Sequence, residues 1–376
     1  MFLRAMPLLV LATLPLRAQE AALLEAPAAA ASEPLRTAGT VGHAEGPLLT
    51  EDSPTDAASQ ATKEQQPLPA DRERLRRTAI QRALPIIVER GQWWIEKKDC
   101  VSCHRIGNML WTLRLAKQRG CVLPDISQDW FSWAVQSSQA TDEKGVTDAE
   151  KNREGIVQLL AADRVSPFIP SEIKRAWIDM MLATQEEDGC WQPGGQLPSQ
   201  KRPEAETRIV SAMWIGLALA RENDARARTA VQRVLQTVDR VEGIPVSTEW
   251  YAVQLLLAQA TNDADRQRDA IAALVQEQHP DGGWGWLLAE PGDALATGLA
   301  LFALASTDRE LTEPEMANAV QAAEGFLLST QQFDGGWKVP GTKKNKKMPQ
   351  ETASYWGTCW ATMGLLQSEV WADHAP

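Results

Sequence analysis

Three phrases decide the fold: Gln185-Glu186-Glu187-Asp188-Gly189-Cys190-Trp191, Gln278-His279-Pro280-Asp281-Gly282-Gly283-Trp284 and Gln331-Gln332-Phe333-Asp334-Gly335-Gly336-Trp337. Each reads Gln-x-x-Asp-Gly-x-Trp. Asp and Gly supply a tight turn and a helix stop, because glycine takes positive φ without a Cβ clash. The Gln amide is placed to hydrogen-bond groups at adjacent helix ends, and the Trp to stack on a neighbouring turn. Upstream of each phrase runs an amphipathic stretch: Ile173 to Thr184, Ala270 to Gln276 and Ala319 to Thr330. Downstream comes a second helical run: Glu206 to Ala220, Asp293 to Ser306 and Thr352 to Leu366. The repeat unit is therefore a helical hairpin, and self-similarity of this kind fixes the architecture before any single helix is assigned.

Working outward, a degenerate unit lies around Gln236, between the runs Ala225 to Leu235 and Thr248 to Ala260. There is room for two more upstream, one near Gln136 and one beginning near Thr78. About six hairpins between Thr78 and Ser368 give an all-α chain, a closed ring of two concentric helix layers. No strand pattern of comparable length competes. These phrases resemble the QW repeats of the squalene cyclase and prenyltransferase superfamily. The resemblance covers roughly Ala79 to Leu366 and implies an α/α toroid. It implies less about activity, because one fold hosts several chemistries.

The family's chemistry carries motifs that this chain does not. The resemblance to squalene and hopene cyclases asks for an Asp-x-Asp-Asp acid; the nearest text is Asp263-Ala264-Asp265-Arg266, at the start of a predicted outer helix. Protein prenyltransferases hold zinc with Asp, Cys and a His on the last inner helix, and the stretch Tyr355-Trp356-Gly357-Thr358-Cys359 has no His. The Gly-Cys-Gly-Glu-Gln thioester phrase of complement-type domains is also missing. Acidic residues do recur near the starts of the inner helices, at Glu206, Glu249, Asp293 and Glu351. Carboxylates favour such positions as caps and through the helix dipole, so that explanation ranks ahead of acid or cation-binding chemistry.

One constellation carries chemistry of its own: Asp99-Cys100-Val101-Ser102-Cys103-His104-Arg105. Cys-x-x-Cys-His resembles the haem attachment motif of c-type cytochromes. That resemblance implies haem c joined through Cys100 and Cys103, with His104 as proximal iron ligand. Aligning Lys98 with Gln331 puts His104 in the register of Trp337, so the motif stands where other units carry their turn. Neither the compact cytochrome fold nor its usual downstream Met is recognisable. Met109 is too close to His104 to reach across a porphyrin, and His279 is too far round the ring. Met348, in the loop from Val339 to Gln350, is the expected distal ligand. Three other readings stay open: a Cys100–Cys103 disulfide or redox pair, zinc held by Cys100, Cys103, His104 and Cys121, and a chance match. Cys190 and Cys359 read as small buried residues. The run Lys343-Lys344-Asn345-Lys346-Lys347 reads as a solvated loop that could pair with haem propionates or dock an acidic partner.

Composition bounds the rest. With 376 residues, 44% of them hydrophobic, the chain can bury a core. Its net charge of −11 lacks any long basic stripe, which argues against nucleic acid as a partner. Five Cys exclude a disulfide-dense scaffold. Fifteen Trp against six Phe and two Tyr point to a repeated structural use of indole. Residues 1–18 read as a secretory signal, with an apolar run too short and too broken by Pro7 and Pro15 to span a bilayer. Residues 19–77 read as a disordered arm, rich in Ala, Glu, Pro, Ser and Thr, and residues 78–370 as the toroid. The sequence thus predicts a periplasmic or secreted protein that is not integral to a membrane. Its leading function is a redox role through haem c, with a redox protein as partner. The alternative is an enzyme or scaffold that takes an apolar isoprenoid ligand in a Trp-lined central cavity.

Overall fold

The computed structural model describes residues 69–98, 101, 105–125, 129–194, 199–308, 311, 313–344 and 348–374. The segments read as signal and arm lie outside the described residues up to position 68. Helix α1 (Pro69–Lys98) begins upstream of the Thr78 boundary read from the sequence.

Among the described residues twelve long helices alternate between two layers, and they form the six expected hairpins. The outer layer holds α1, α3 (Asp129–Ser138), α6 (Ser171–Ala183), α8 (Ala225–Asp239), α10 (Ala264–Gln276) and α12 (Pro314–Thr330). The inner layer holds α2 (Ile106–Gln118), α5 (Arg153–Val165), α7 (Glu204–Leu219), α9 (Thr248–Thr261), α11 (Ala294–Ala305) and α13 (Glu351–His374). A single-turn helix, α4 (Asp148–Lys151), precedes α5 and is started by a capping box between Thr147 and Glu150. Inner helices pack in the order α2, α5, α7, α9, α11, α13 and back to α2, so the ring closes. Among the described residues there is no strand, only isolated bridges.

Local sequence explains each layer. On α8 the buried residues Ala227, Ala230, Val231, Val234 and Val238 recur at three- and four-residue spacing, the stripe of a helix with one wet face. Helix α11 reads Ala-Leu-Ala-Thr-Gly-Leu-Ala-Leu-Phe-Ala-Leu-Ala and every one of its residues is buried, as expected for a helix enclosed on all sides. Asp224, Asp263 and Asp293 cap α8, α10 and α11 by accepting backbone N–H groups in the first turn.

The repeated phrase does the same work three times. Gln185, Gln278 and Gln331 each donate through Nε2 to the carbonyl of the glycine four residues on, at 2.8–2.9 Å. The same amide nitrogen also donates to the next outer helix: to Ala230 on α8, to Ala319 on α12, and to Ala79 on α1. That last bond joins the sixth hairpin to the first. Asp188, Asp281 and Asp334 each accept the amide two residues on at 3.0 Å, closing the turn. Gly189, Gly282 and Gly335 adopt φ of 85°, 87° and 94°. A Cβ on any of them would overlap the backbone of the next outer helix, at Arg233, Ala322 or Arg82. Each indole N–H donates at 2.8–2.9 Å to a carbonyl of the preceding outer helix, Met181, Leu274 or Leu327. The tryptophans therefore pin the turn to its own hairpin, while the glutamines tie it to the next.

Candidate functional site: an axial cavity with an aromatic floor

Since inner helices run parallel to one another, their first turns share one end of the axis and their last turns the other. The residues facing the axis form three layers. At the N-terminal end lie Glu154, Arg202, Ser211, Glu249 and Trp356. The middle layer is aromatic: the rings of Trp111, Phe302 and Trp360 meet at 5.5–5.7 Å, and Trp214 joins Trp360 at 5.9 Å. Above this floor a cavity of about 530 Å³ opens toward the C-terminal ends of the inner helices. Val157, Ala161, Leu217 and Leu256 complete its walls, and polar side chains appear at the lip, where Arg164, Arg221, Gln259, Asn262, Ser306 and Asp308 stand. A pocket of this size, apolar at its floor and walls and polar at its lip, suits a small organic ligand. The two lip arginines complement the negative ends of the surrounding helix dipoles. Burial lowers the Arg164 pKa to about 10, against the pull of Glu222.

The opposite end is roofed. The link between α6 and α7 crosses to the link between α12 and α13, whose inner helices are three places apart in a ring of six. Lys201 N–H donates to the Thr342 carbonyl at 2.9 Å, Lys344 N–H to the Ser199 carbonyl at 3.1 Å, and Lys201 pairs with Glu290 at 2.7 Å. Beneath this strap is a small chamber of about 30 Å³, room for one or two waters. Glu154 lines it. Its Oε1 accepts from the Ser211 hydroxyl, while the buried Oε2 has no hydrogen-bond partner. Burial raises the Glu154 pKa, and the bonds from Ser211 and the Gly194 amide only partly oppose that. Burial and the unpartnered oxygen both favour the protonated form of this carboxyl.

The carboxylates expected along this rim are engaged in structure. Glu206 accepts from the Val246 and Ser247 amides at 2.9 and 3.0 Å. Glu249 accepts from Arg202 at 2.6 Å and from the Trp214 indole at 2.8 Å. Asp293 accepts from the amides of Trp286, Leu295 and Ala296 at 2.8–3.0 Å. Glu351 pairs with Arg105. The capping account holds for Asp293, whereas the other three hold loops or arginines in place.

Cys100, Cys103 and His104 lie outside the described residues. Their flanks are anchored: the Val101 carbonyl accepts from the Asn152 side chain, and Arg105 is buried with its guanidinium 4.4 Å from the Trp94 ring and 4.8 Å from that of Tyr355. Met348 is 73% exposed on the link before α13. Met109 is buried against α1 near Gly91, and the His279 imidazole bonds the Leu288 carbonyl at 2.9 Å within its turn. Cys121 sits past the far end of α2, a helix of 13 residues and so about 20 Å of rise. Burial pushes the thiols of Cys190 and Cys359 up to about 11 and about 12, in keeping with packing roles. Sequence reading missed Glu154 and the aromatic floor by name. Their signal is present as the axis-facing spacing Glu154, Val157, Ala161, Arg164 on α5 and Trp214, Leu217, Arg221 on and after α7.

An α/α toroid with an axial cavity is the class this geometry defines. No protein-family model and no curated protein sequence matches the chain. Solved structures do match in fold. Type II terpene cyclase MstE from Scytonema, in complex with geranylgeranyl dihydroxybenzoate, aligns at TM-score 0.54 and 14% identity over 81% of this chain and 100% of its own. Unsaturated glucuronyl hydrolase from Bacillus sp. GL1 aligns at TM-score 0.57 and 14% identity over 78% and 97%. A glycosyl hydrolase family 88 protein from Bacteroides vulgatus aligns at 0.57 and 11% over 80% and 99%. At these identities the likeness is one of fold.

Proposed function

We propose that the protein takes an apolar, isoprenoid-type molecule into the axial cavity, with a polar end of the ligand at the lip. The observation that carries this reading is the lining. Trp111, Trp214 and Phe302 with Leu217 and Leu256 offer apolar surface to the full depth of the cavity, and hydrogen-bonding side chains stand at its mouth. Terpene cyclases and sugar-cleaving enzymes share the fold, so the fold does not choose between them. The walls favour the isoprenoid, because a sugar reaching past the polar lip to the aromatic floor would leave the hydroxyls there without partners, each at a cost of several kcal/mol by order of magnitude. Glu154 lies beneath the aromatic floor in a chamber of its own, so this reading is one of binding and gives Glu154 no contact with a ligand held above.

Quenching of tryptophan fluorescence tests the binding. Geranylgeraniol is expected to saturate the signal and an unsaturated glucuronyl disaccharide is not; Leu256→Glu should weaken the polyprenol at least roughly tenfold, a buried charge costing more than ~1.4 kcal/mol. Saturation by the disaccharide alone would overturn the reading.

A second reading rests on the link between α1 and α2, and its support is surface chemistry. Trp93 at 48% and Met348 at 73% exposure are large apolar side chains on the rim that holds this link. Exposed apolar side chains of this kind suit contact with the flat face or edge of a macrocycle. Under this reading Cys100 and Cys103 attach haem c, His104 and Met348 hold its iron, and the protein is exported to the periplasm or beyond to exchange electrons with a redox partner. A pyridine haemochrome spectrum of protein made with cytochrome c maturation machinery decides it. An α band that persists through acid and organic extraction is expected; no band, with a matured control, removes haem, and zinc in the same preparation would replace it.

A further inference from the structure

Eight large hydrophobic side chains are highly exposed among the described residues, and six of them stand on one rim. Trp93 lies in the last two turns of α1, Val146 precedes α4, Ile244 and Val246 lie between α8 and α9, and Phe333 and Met348 between α12 and α13. Every link from an outer to an inner helix leaves the ring at this end, so these residues share a face. Leu75 and Val122 belong to the opposite end. Phe333 is fully exposed and Ile244 is 84% exposed, the two extremes of the set. Neither is needed by the axial cavity, which opens on the other rim, nor by the haem reading, which uses Trp93 and Met348.

Basic residues accompany these tips on a chain whose net charge is −11. Lys97 and Lys98 end α1, and Lys338, Lys343 and Lys344 follow Phe333; none of the five takes part in an ion pair among the described residues. Three acids on these links are already engaged: Asp334 in its turn, Glu351 with Arg105, and Glu96 with Gln92. Hairpins one and six thus present lysines together with a protruding aromatic ring.

We infer that this rim docks on an anionic lipid surface, with Phe333 and Ile244 entering the headgroup region and the lysines meeting lipid phosphates. Two features select a bilayer over a protein. The apolar side chains are single tips on separate links round a ring, and a stable protein interface needs a continuous patch of roughly 800 Å² per partner. A fluid membrane accepts separate tips that share one face, and cytoplasmic or other anionic leaflets attract clustered lysines. Contact is peripheral, since no described helix is long and apolar enough to cross a membrane.

Co-sedimentation of the full chain with vesicles tests the inference. Binding is expected to vesicles of equal parts phosphatidylcholine and phosphatidylglycerol, weakening with added salt, and little to phosphatidylcholine alone. Phe333→Ser with Ile244→Ser should lower binding roughly tenfold, and so should Lys343→Gln with Lys344→Gln, since each lysine near the surface contributes on the order of 1 kcal/mol. Phe333, Ile244 and Lys344 are exposed and Lys343 is half-buried, and an unchanged near-UV circular dichroism spectrum confirms that the variants fold. No vesicle binding overturns the proposal. So does equal binding to both vesicle types that neither pair of substitutions alters, or capture by an acidic protein in place of lipid.

Discussion

Gln331 shows how much one side chain does in this ring. Its Nε2 bonds the Gly335 carbonyl and the Ala79 carbonyl, both at 2.8 Å, so one amide both closes a turn and links the last hairpin to the first. Gln331→Ala removes both bonds and leaves two carbonyls short of a donor. The expected loss is about 2 kcal/mol, read from urea midpoints, with faster hydrogen exchange confined to the start of α1. Asp293 behaves differently, because its chemistry depends on pH. Burial raises its carboxyl from 3.8 to about 6, despite three amide donors. Between about pH 4 and 6 the native state therefore holds a proton that the unfolded chain has lost. The stability contributed is complete below about pH 4 and declines as pH rises through 6, on the order of 2 to 3 kcal/mol in all. Asp293→Asn keeps the cap and should flatten this part of the stability–pH curve, measured by urea unfolding at several pH values.

Among the helices, the α11–α13 contact is the tightest. Gly298 lies against the backbone of Trp360 and Ala361, and Gly364 against that of Gly298, so the two helices touch main chain to main chain. Phe302, one turn after Gly298, and Trp360 supply half of the aromatic floor. Gly298→Ala would push the helices apart and tilt both rings. Its cost should be about 3 kcal/mol, at the upper end for overpacking, and the shifted floor should change the tryptophan emission maximum. A serine in place of Thr229, on the wet side of α8, is expected to change stability by under ~0.5 kcal/mol. The contrast locates rigidity in the inner ring, where the cavity is built.

At the scale of the whole ring, closure depends on charges that the repeat phrase does not encode. Arg76 on α1 and Glu324 on α12 form a buried pair at 2.9 Å, and Arg77 reaches Glu369 on α13. Arg76→Met alone leaves Glu324 buried and unpaired, and should cost about 3 to 5 kcal/mol. Adding Glu324→Leu should restore most of that, a coupling that a double-mutant cycle on thermal unfolding would measure. The fold was legible because it rests on local text: Asp and Gly close a turn, Gln and Trp reach fixed neighbours, and three clear copies imply the rest. By itself the sequence determined an all-α toroid of about six hairpins, and it offered Cys100, Cys103 and His104 as candidates for haem attachment. Only the tertiary structure decided which carboxylates are spent on caps and pairs, that Glu154 is left with a bare oxygen, and that Trp111, Trp214, Phe302 and Trp360 form one floor. The physical reason is distance along the chain. Turns and caps act between residues a few positions apart, whereas a cavity, an orphaned acid and a shared rim exist only once helices from all six hairpins converge on one axis.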